Sequence, residues 1–215
     1  MNSFILPDFF PAIIIKTQRF QNLLKNIQNI KLIILAEGVT EKILLPAFSK
    51  VAGIDFIENG IKVISSGGKN RLWRLYQKLS QEVDLPIFMI FDSDAENLIE
   101  ENRHLLRSKD DIYTISKGEF EDILPDKLIC KAINKHYGLI GDINISEIIG
   151  QEGKAQILTD LYRIKGFGAF KKAEFAQILA GCIKSKTDLS EELQALFKVL
   201  KSKIHSQPAH KLYEK

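Results

Sequence analysis

The feature that most constrains this fold is a pair of uninterrupted apolar runs, each followed at once by acidic residues. Residues 87–91 (Ile-Phe-Met-Ile-Phe) lead to Asp92 and Asp94, and the run that ends at Ala36 leads to Glu37. Strands without polar alternation are typical of a parallel sheet that is covered on both faces. Both runs are therefore predicted to be buried strands that deliver acidic side chains at their carboxyl ends.

Two further strands are predicted at residues 61–64 and 111–115, with helical stretches between all four. Right-handed crossovers then give a parallel sheet, and functional side chains collect where its strands end. The fold class is α/β: a Rossmann-like parallel sheet of about four strands flanked by helices, with a helical C-terminal extension. Helices are predicted at residues 17–29, from residue 41 onward, and at 95–107, 127–137, 154–164, 170–184 and 190–205.

Composition places the chain among ordinary globular proteins. Its 215 residues are 45% apolar and 27% charged, and the net charge of +3 is too small to indicate nucleic-acid binding by itself. Cys130 and Cys182 lack a C-x-x-C partner, which argues against a zinc knuckle or a disulfide scaffold and fits a cytoplasmic protein. Residues 4–15 are apolar but interrupted by proline and aspartate, so they predict a docked arm and no membrane segment.

Acidic residues follow three of the four predicted strands. On an extended chain Asp92 and Asp94 would point the same way, roughly 6.6 Å apart. Ordinary alternatives exist, since Asp94 could cap the helix at 95–107 and Glu41 could offset a helix dipole. So many carboxylates in one crevice would repel each other without hard divalent cations. The candidate metal ligands are Glu37, Glu41, Asp92, Asp94, Glu119, Glu121 and Asp122, and spacing alone does not decide among the last three.

A glycine pair follows the strand at residues 61–64. Gly67 and Gly68 are predicted to expose backbone N–H groups to phosphate, with positive charge from Lys69, Arg71 and Arg74 beside them. The P-loop pattern is not met, because asparagine rather than serine or threonine follows the lysine. The sequence thus predicts nucleic-acid contact here, and a solvated helix face is the simpler alternative.

The acidic motifs carry a resemblance to a known family. A strand ending in Glu-Gly-Val-Thr-Glu (37–41), a later Asp-x-Asp (92–94) and Glu-Phe-Glu-Asp-Ile-Leu (119–124) resemble the Toprim domain of topoisomerases, primases and several nucleases. The first and third motifs are similar to those of the OLD (overcoming lysogenization defect) endonucleases. The resemblance implies an arm at residues 1–30, a Toprim catalytic domain at 31–125 and a helical region at 126–215 that completes the site.

The resemblance also implies an activity. It implies an endonuclease or nickase that hydrolyses phosphodiesters with Mg²⁺ or Mn²⁺, two ions being expected, and Glu37 as a catalytic residue as well as a ligand. Lys172, in Lys-Ala-Glu-Phe-Ala (172–176), is similar to a lysine that assists the reaction in such nucleases. The implied partners are DNA, a separate ATPase subunit and further copies of the chain.

Rival hypotheses come from other protein classes. A haloacid-dehalogenase phosphatase also has D-x-D, but Glu96 stands where it needs threonine or valine. A receiver domain gives no reason for Glu-Gly-x-Thr-Glu, and a primase or topoisomerase needs parts that have no local motif here. A Toprim-like subunit that binds DNA and docks on an ATPase without cutting is the non-enzymatic alternative.

Overall fold

The computed structural model describes residues 30–205, so the predicted N-terminal arm and the helix at 17–29 lie outside the described residues. Its sheet has four parallel strands: β1 (Leu32–Ala36), β2 (Ile61–Ser65), β3 (Ile87–Phe91) and β4 (Asp111–Thr114), in the spatial order β2-β1-β3-β4. The helices are α1 (Val39–Ala52), α2 (Lys69–Glu82), α3 (Glu96–Asn102), α4 (Asp126–Tyr137), α5 (Lys154–Lys165), α6 (Lys172–Ala180) and α7 (Glu191–His205).

Helices cover both faces of the sheet. Alternate residues of β1 separate two apolar layers: Leu32 and Ile34 belong to one, Ile33 and Leu35 to the other. The first layer contains α1 and the C-terminal helices, and the second contains α2 and α3. This double coverage explains why β1 and β3 are apolar at every position. No helix within residues 30–205 has the length and apolar character needed to cross a membrane.

The predicted α/β class and parallel sheet are confirmed, whereas two helix predictions were wrong in length. The helix predicted at 95–107 is regular only over Glu96–Asn102, with 3-10 turns on both sides. At its C-terminal end the Asn102 side chain donates to the carbonyl of Leu98 (2.8 Å). The helix predicted at 170–184 begins at Lys172 and ends at Ala180. Gly181 follows it, as is common where helices end.

Candidate functional site

A cleft of about 720 Å³ opens at the carboxyl edge of the sheet. The loops that follow all four strands contribute to it, because parallel strands end at the same edge. Of the predicted site residues, the cleft brings together three strand-end acids, a fourth from the loop after β4, and the basic turn before α2. They are Glu37, Asp92, Asp94, Glu119, Gly67, Gly68, Lys69 and Arg71.

Glu37 and Asp92 form the centre of the cleft, at the ends of adjacent strands β1 and β3. Glu37 Oε1 accepts a hydrogen bond from the backbone N–H of Asp92 (3.0 Å), which fixes the glutamate side chain. Burial raises the pKa of Glu37, and the nearby charge of Asp94 adds to the shift against an opposing backbone hydrogen bond. Asp92 Oδ1 is buried without a hydrogen-bond partner within the described residues.

The carboxyl of Asp92 is the most perturbed acid in the cleft. Burial, together with the negative charges of Glu37, Glu41, Glu119 and Glu121, raises the pKa of Asp92 to about 8. A buried carboxylate without a hydrogen-bond donor is costly, whereas a cation would relieve both burial and repulsion. The position therefore favours either a proton or a bound cation.

The glycine turn does not expose its N–H groups as predicted. The N–H groups of Gly67 and Gly68 both donate to the backbone carbonyl of Glu37, at 2.8 and 3.0 Å. Both glycines have positive φ angles (82° and 122°), which permit this tight return of the chain to the end of β1. The pair thus joins the β2–α2 turn to Glu37 and is not a phosphate cradle.

Asp94 lies in a 3-10 turn at Ser93–Ala95, so the extended geometry expected for Asp92 and Asp94 is wrong. The chain turns immediately after Asp92, yet both side chains still line the cleft. Lys69 reaches across from α2 to Asp94, where its Nζ contacts a carboxylate oxygen (2.5 Å) and the backbone carbonyl (3.0 Å). One basic residue of the predicted phosphate site thus neutralises one predicted metal ligand.

Glu41 and Glu121 lie behind the cleft and are almost fully buried. Glu41 Oε1 accepts the backbone N–H of Gly38 (2.9 Å), so Glu41 satisfies the start of α1. Burial raises the pKa of Glu41, and the charges of Glu121 and Glu37 act in the same direction against opposing backbone hydrogen bonds. Glu121 Oε1 accepts the hydroxyl of Thr40 (2.7 Å). The sequence analysis missed this contact, although Thr40 stands inside the Glu-Gly-Val-Thr-Glu motif.

Lys172 joins the helical region to this acidic group. Its Nζ lies 2.7 Å from Glu119 Oε2 and 3.3 Å from Glu121 Oε1. Burial lowers the pKa of Lys172, but its hydrogen bonds and the charges of these two glutamates outweigh that effect and raise it. The neighbouring Lys171 is exposed, and its Nζ lies 3.9 Å from Glu174. The two adjacent lysines therefore have different surroundings.

Two other predicted site residues lie outside the cleft lining. Both oxygens of Asp122 accept backbone N–H groups, from Glu119 (2.7 Å) and Lys154 (2.6 Å), so this side chain ties a 3-10 turn to α5. Arg74 is exposed on α2, one turn beyond Arg71. Arg71 does line the cleft.

The donor chemistry of the cleft fits hard divalent ions, although residues 30–205 contain no group of three or more His, Cys, Asp or Glu already arranged to hold one. Glu37, Asp92, Asp94 and Glu119 supply carboxylate oxygens only, which suit Mg²⁺ and Mn²⁺. The unpartnered Asp92 oxygen is an available ligand. Asp94 and Glu119 are instead paired with lysines.

The sheet order and the acidic carboxyl edge define a Toprim-like fold. Residues 30–94 match the family described as overcoming lysogenization defect protein-like, TOPRIM domain. This part of the chain is therefore similar to the Toprim domain of OLD-like proteins. A comparison of the sequence with curated proteins gives no match.

Solved structures with the same fold include C-terminal regions of two bacterial OLD proteins. The region from Burkholderia pseudomallei has a TM-score of 0.59 at 18% identity, over 81% of this chain and 99% of that one. The region from Xanthomonas campestris pv. campestris has a TM-score of 0.57 at 18% identity, over 82% and 94% of the two chains. The shared fold extends past residue 94 into the helical part of the protein.

Proposed function

We propose that this protein is a divalent-metal-dependent endonuclease or nickase that hydrolyses DNA phosphodiesters. The observation that carries the proposal is the partly buried Asp92 carboxyl beside Glu37, which has one buried, unpartnered oxygen and four acidic neighbours. This arrangement is unfavourable by itself and is relieved by cations. Perturbed acids in a cleft are also typical of reactive sites. The OLD-like Toprim match at residues 30–94 supports the same chemistry.

Mg²⁺ or Mn²⁺, two ions in our proposal, would be held by Glu37, Asp92, Asp94 and Glu119. They would supply positive charge to the phosphate and a water of lowered pKa. Glu37 is well placed to orient or deprotonate the attacking water, because the Asp92 backbone fixes its side chain. Lys172 would stabilise negative charge on the phosphate in the transition state. Lys69 and Arg71 would bind the flanking phosphates.

In this proposal, side chains and not the backbone of the glycine turn contact the DNA phosphates. Since the Gly67 and Gly68 N–H groups bond to Glu37, recognition falls to charged side chains at the start of α2. Contacts to phosphate carry no base information, so we propose an activity with little sequence preference. An ATPase subunit is the partner that we propose from the family resemblance.

The test is cleavage of supercoiled plasmid by the purified chain with Mg²⁺ or Mn²⁺, with EDTA as the metal-free control. Asp92→Ala and Glu37→Ala should abolish nicking. Lys172→Ala should slow single-turnover cleavage by about 10²–10³ while changing DNA affinity little. Lys171→Ala is the matched control and should cut normally.

Two results would contradict this proposal. A wild-type chain that binds DNA without divalent-dependent cleavage would favour the non-catalytic alternative. Cleavage that persists unchanged in both Asp92→Ala and Glu37→Ala would place the reaction elsewhere.

A further inference from the structure

Lys172 has two carboxylate partners of opposite character. Glu119 lines the cleft with 52% of its side chain exposed, whereas only 3% of the Glu121 side chain is exposed. An ion pair with an exposed carboxylate fixes a lysine poorly, because both chains are flexible and water screens the charges. A buried carboxylate with fixed hydrogen bonds holds it better. On these grounds Glu121 constrains the ammonium group more than Glu119 does, although the Glu119 contact is the shorter of the two (2.7 against 3.3 Å).

Glu121 is itself held by Thr40. The Thr40 hydroxyl donates to Glu121 Oε1 at 2.7 Å, and this is the same oxygen that Lys172 Nζ approaches at 3.3 Å. Thr40 is 1% exposed and lies in the first turn of α1. Because the hydroxyl and the ammonium group converge on one oxygen, rotation of Glu121 would break both contacts.

The three residues belong to three elements that pack together. Thr40 is on α1, Glu121 is in the 3-10 turn Phe120–Ile123, and Lys172 begins α6. Helix α6 packs against α1, and its Phe175, 1% exposed, lies in the same apolar core. The backbone on either side of the Thr40–Glu121–Lys172 contact is thus fixed by packing.

We propose that Thr40 and Glu121 are positioning residues that hold the Lys172 ammonium group at the edge of the cleft. Glu121 is in this view a structural counter-charge and not a metal ligand. Glu119 is then the exchangeable partner, able to leave Lys172 for a metal ion while Glu121 keeps the lysine in place. The catalytic part of the inference rests on the proposed nuclease function, and the positional part does not.

The first measurement is independent of activity. The protein is produced with ¹³C-labelled lysine and kept in EDTA, and the ¹³Cε signal of the unmodified Lys172 is assigned by its loss in Lys172→Arg. Thr40→Val, which keeps the shape but removes the donor, should move the Lys172 signal toward the exposed-lysine position. Thr40→Ser should restore it. Glu121→Gln should shift it more than Glu119→Gln.

The second measurement is single-turnover cleavage. Thr40→Val should lower the rate constant about tenfold while the half-saturating enzyme concentration stays within about twofold, and Thr40→Ser should recover most of the loss. An unchanged Lys172 signal in Thr40→Val would overturn the positional part and an unchanged rate would overturn the catalytic part, as would a serine variant no better than valine in the corresponding measurement. If Thr40→Val does not fold, a larger signal shift in Glu119→Gln than in Glu121→Gln would also overturn it. A wild-type chain that does not cut refutes the nuclease proposal alone, since the lysine signals still decide the positional part.

Discussion

The Asp92 carboxyl of the folded protein stays protonated at pH values where an ordinary aspartate is ionised. The pKa rises from 3.8 to about 8, so between these values the folded state keeps a proton that the unfolded state releases. The free energy of unfolding therefore falls as pH increases through this range. Functional sites commonly lower the free energy of unfolding in this way when no ligand is bound, because function requires charges to be clustered.

Because ionised Asp92 lowers the free energy of unfolding, Asp92→Asn is predicted to raise it. Asparagine resembles the protonated acid and removes the charge, so in EDTA the variant should be more stable than wild type. The gain should be small near pH 4 and about 2 kcal/mol at pH 8, after allowance for partial exposure. Urea unfolding at several pH values measures it. Glu96→Gln, at an exposed position nearby, is the control and should change stability little. Equal stability of Asp92→Asn and wild type at pH 8 would contradict the electrostatic account.

Helix α2 carries the basic part of the cleft at its first turn. Arg71 lines the cleft, whereas Lys78 is exposed near the far end of the same helix. On the catalytically silent Asp92→Asn background, Arg71→Ala should make the slope of log K against log salt less negative by about 0.9. Lys78→Ala should leave the slope unchanged. Fluorescence anisotropy with a short duplex at several salt concentrations measures both, and equal slopes for the two variants would argue for a solvated helix face.

The same elements show what the sequence can predict. Strands β1 and β3 were identifiable because double coverage makes every residue apolar, and their acidic ends follow from position in the chain. Tertiary hydrogen bonds could not be predicted, since they join distant residues. The carbonyl of Glu37 uses the N–H groups of the glycine turn, and Thr40 bonds Glu121, 81 positions away.

A buried charge network far from the cleft was missed for the same reason. Asp110, 2% exposed, accepts hydrogen bonds from Arg107 (2.6 Å), Tyr76 (2.9 Å) and the N–H of Ile87 (2.8 Å). These contacts fix α2 and the start of β3. Their residues are ordinary polar types with no recognisable spacing in the sequence.

Across the whole molecule, the acidic cleft depends on helices that lie beyond the matched family domain. Residues of α4, α6 and α7 share one apolar core with β1, including Leu128, Leu179 and Leu196. One of these helices, α6, presents Lys172 to Glu119 and Glu121. The domain boundary predicted at residue 125 marks the end of the Toprim sequence motifs. The apolar core continues across it.

We accordingly expect a fragment of residues 30–125 to lack a cooperative thermal transition, because removal of α4, α6 and α7 exposes the apolar face of β1 and α1 to water. The 215-residue chain, as control, should melt in one transition. Co-expression of residues 126–215 with the chain truncated after residue 125 should restore a soluble complex, since the missing surface is supplied in trans. Circular dichroism melting and size-exclusion chromatography measure these outcomes. A cooperative transition in the fragment alone would show that the first three helices suffice to stabilise the sheet.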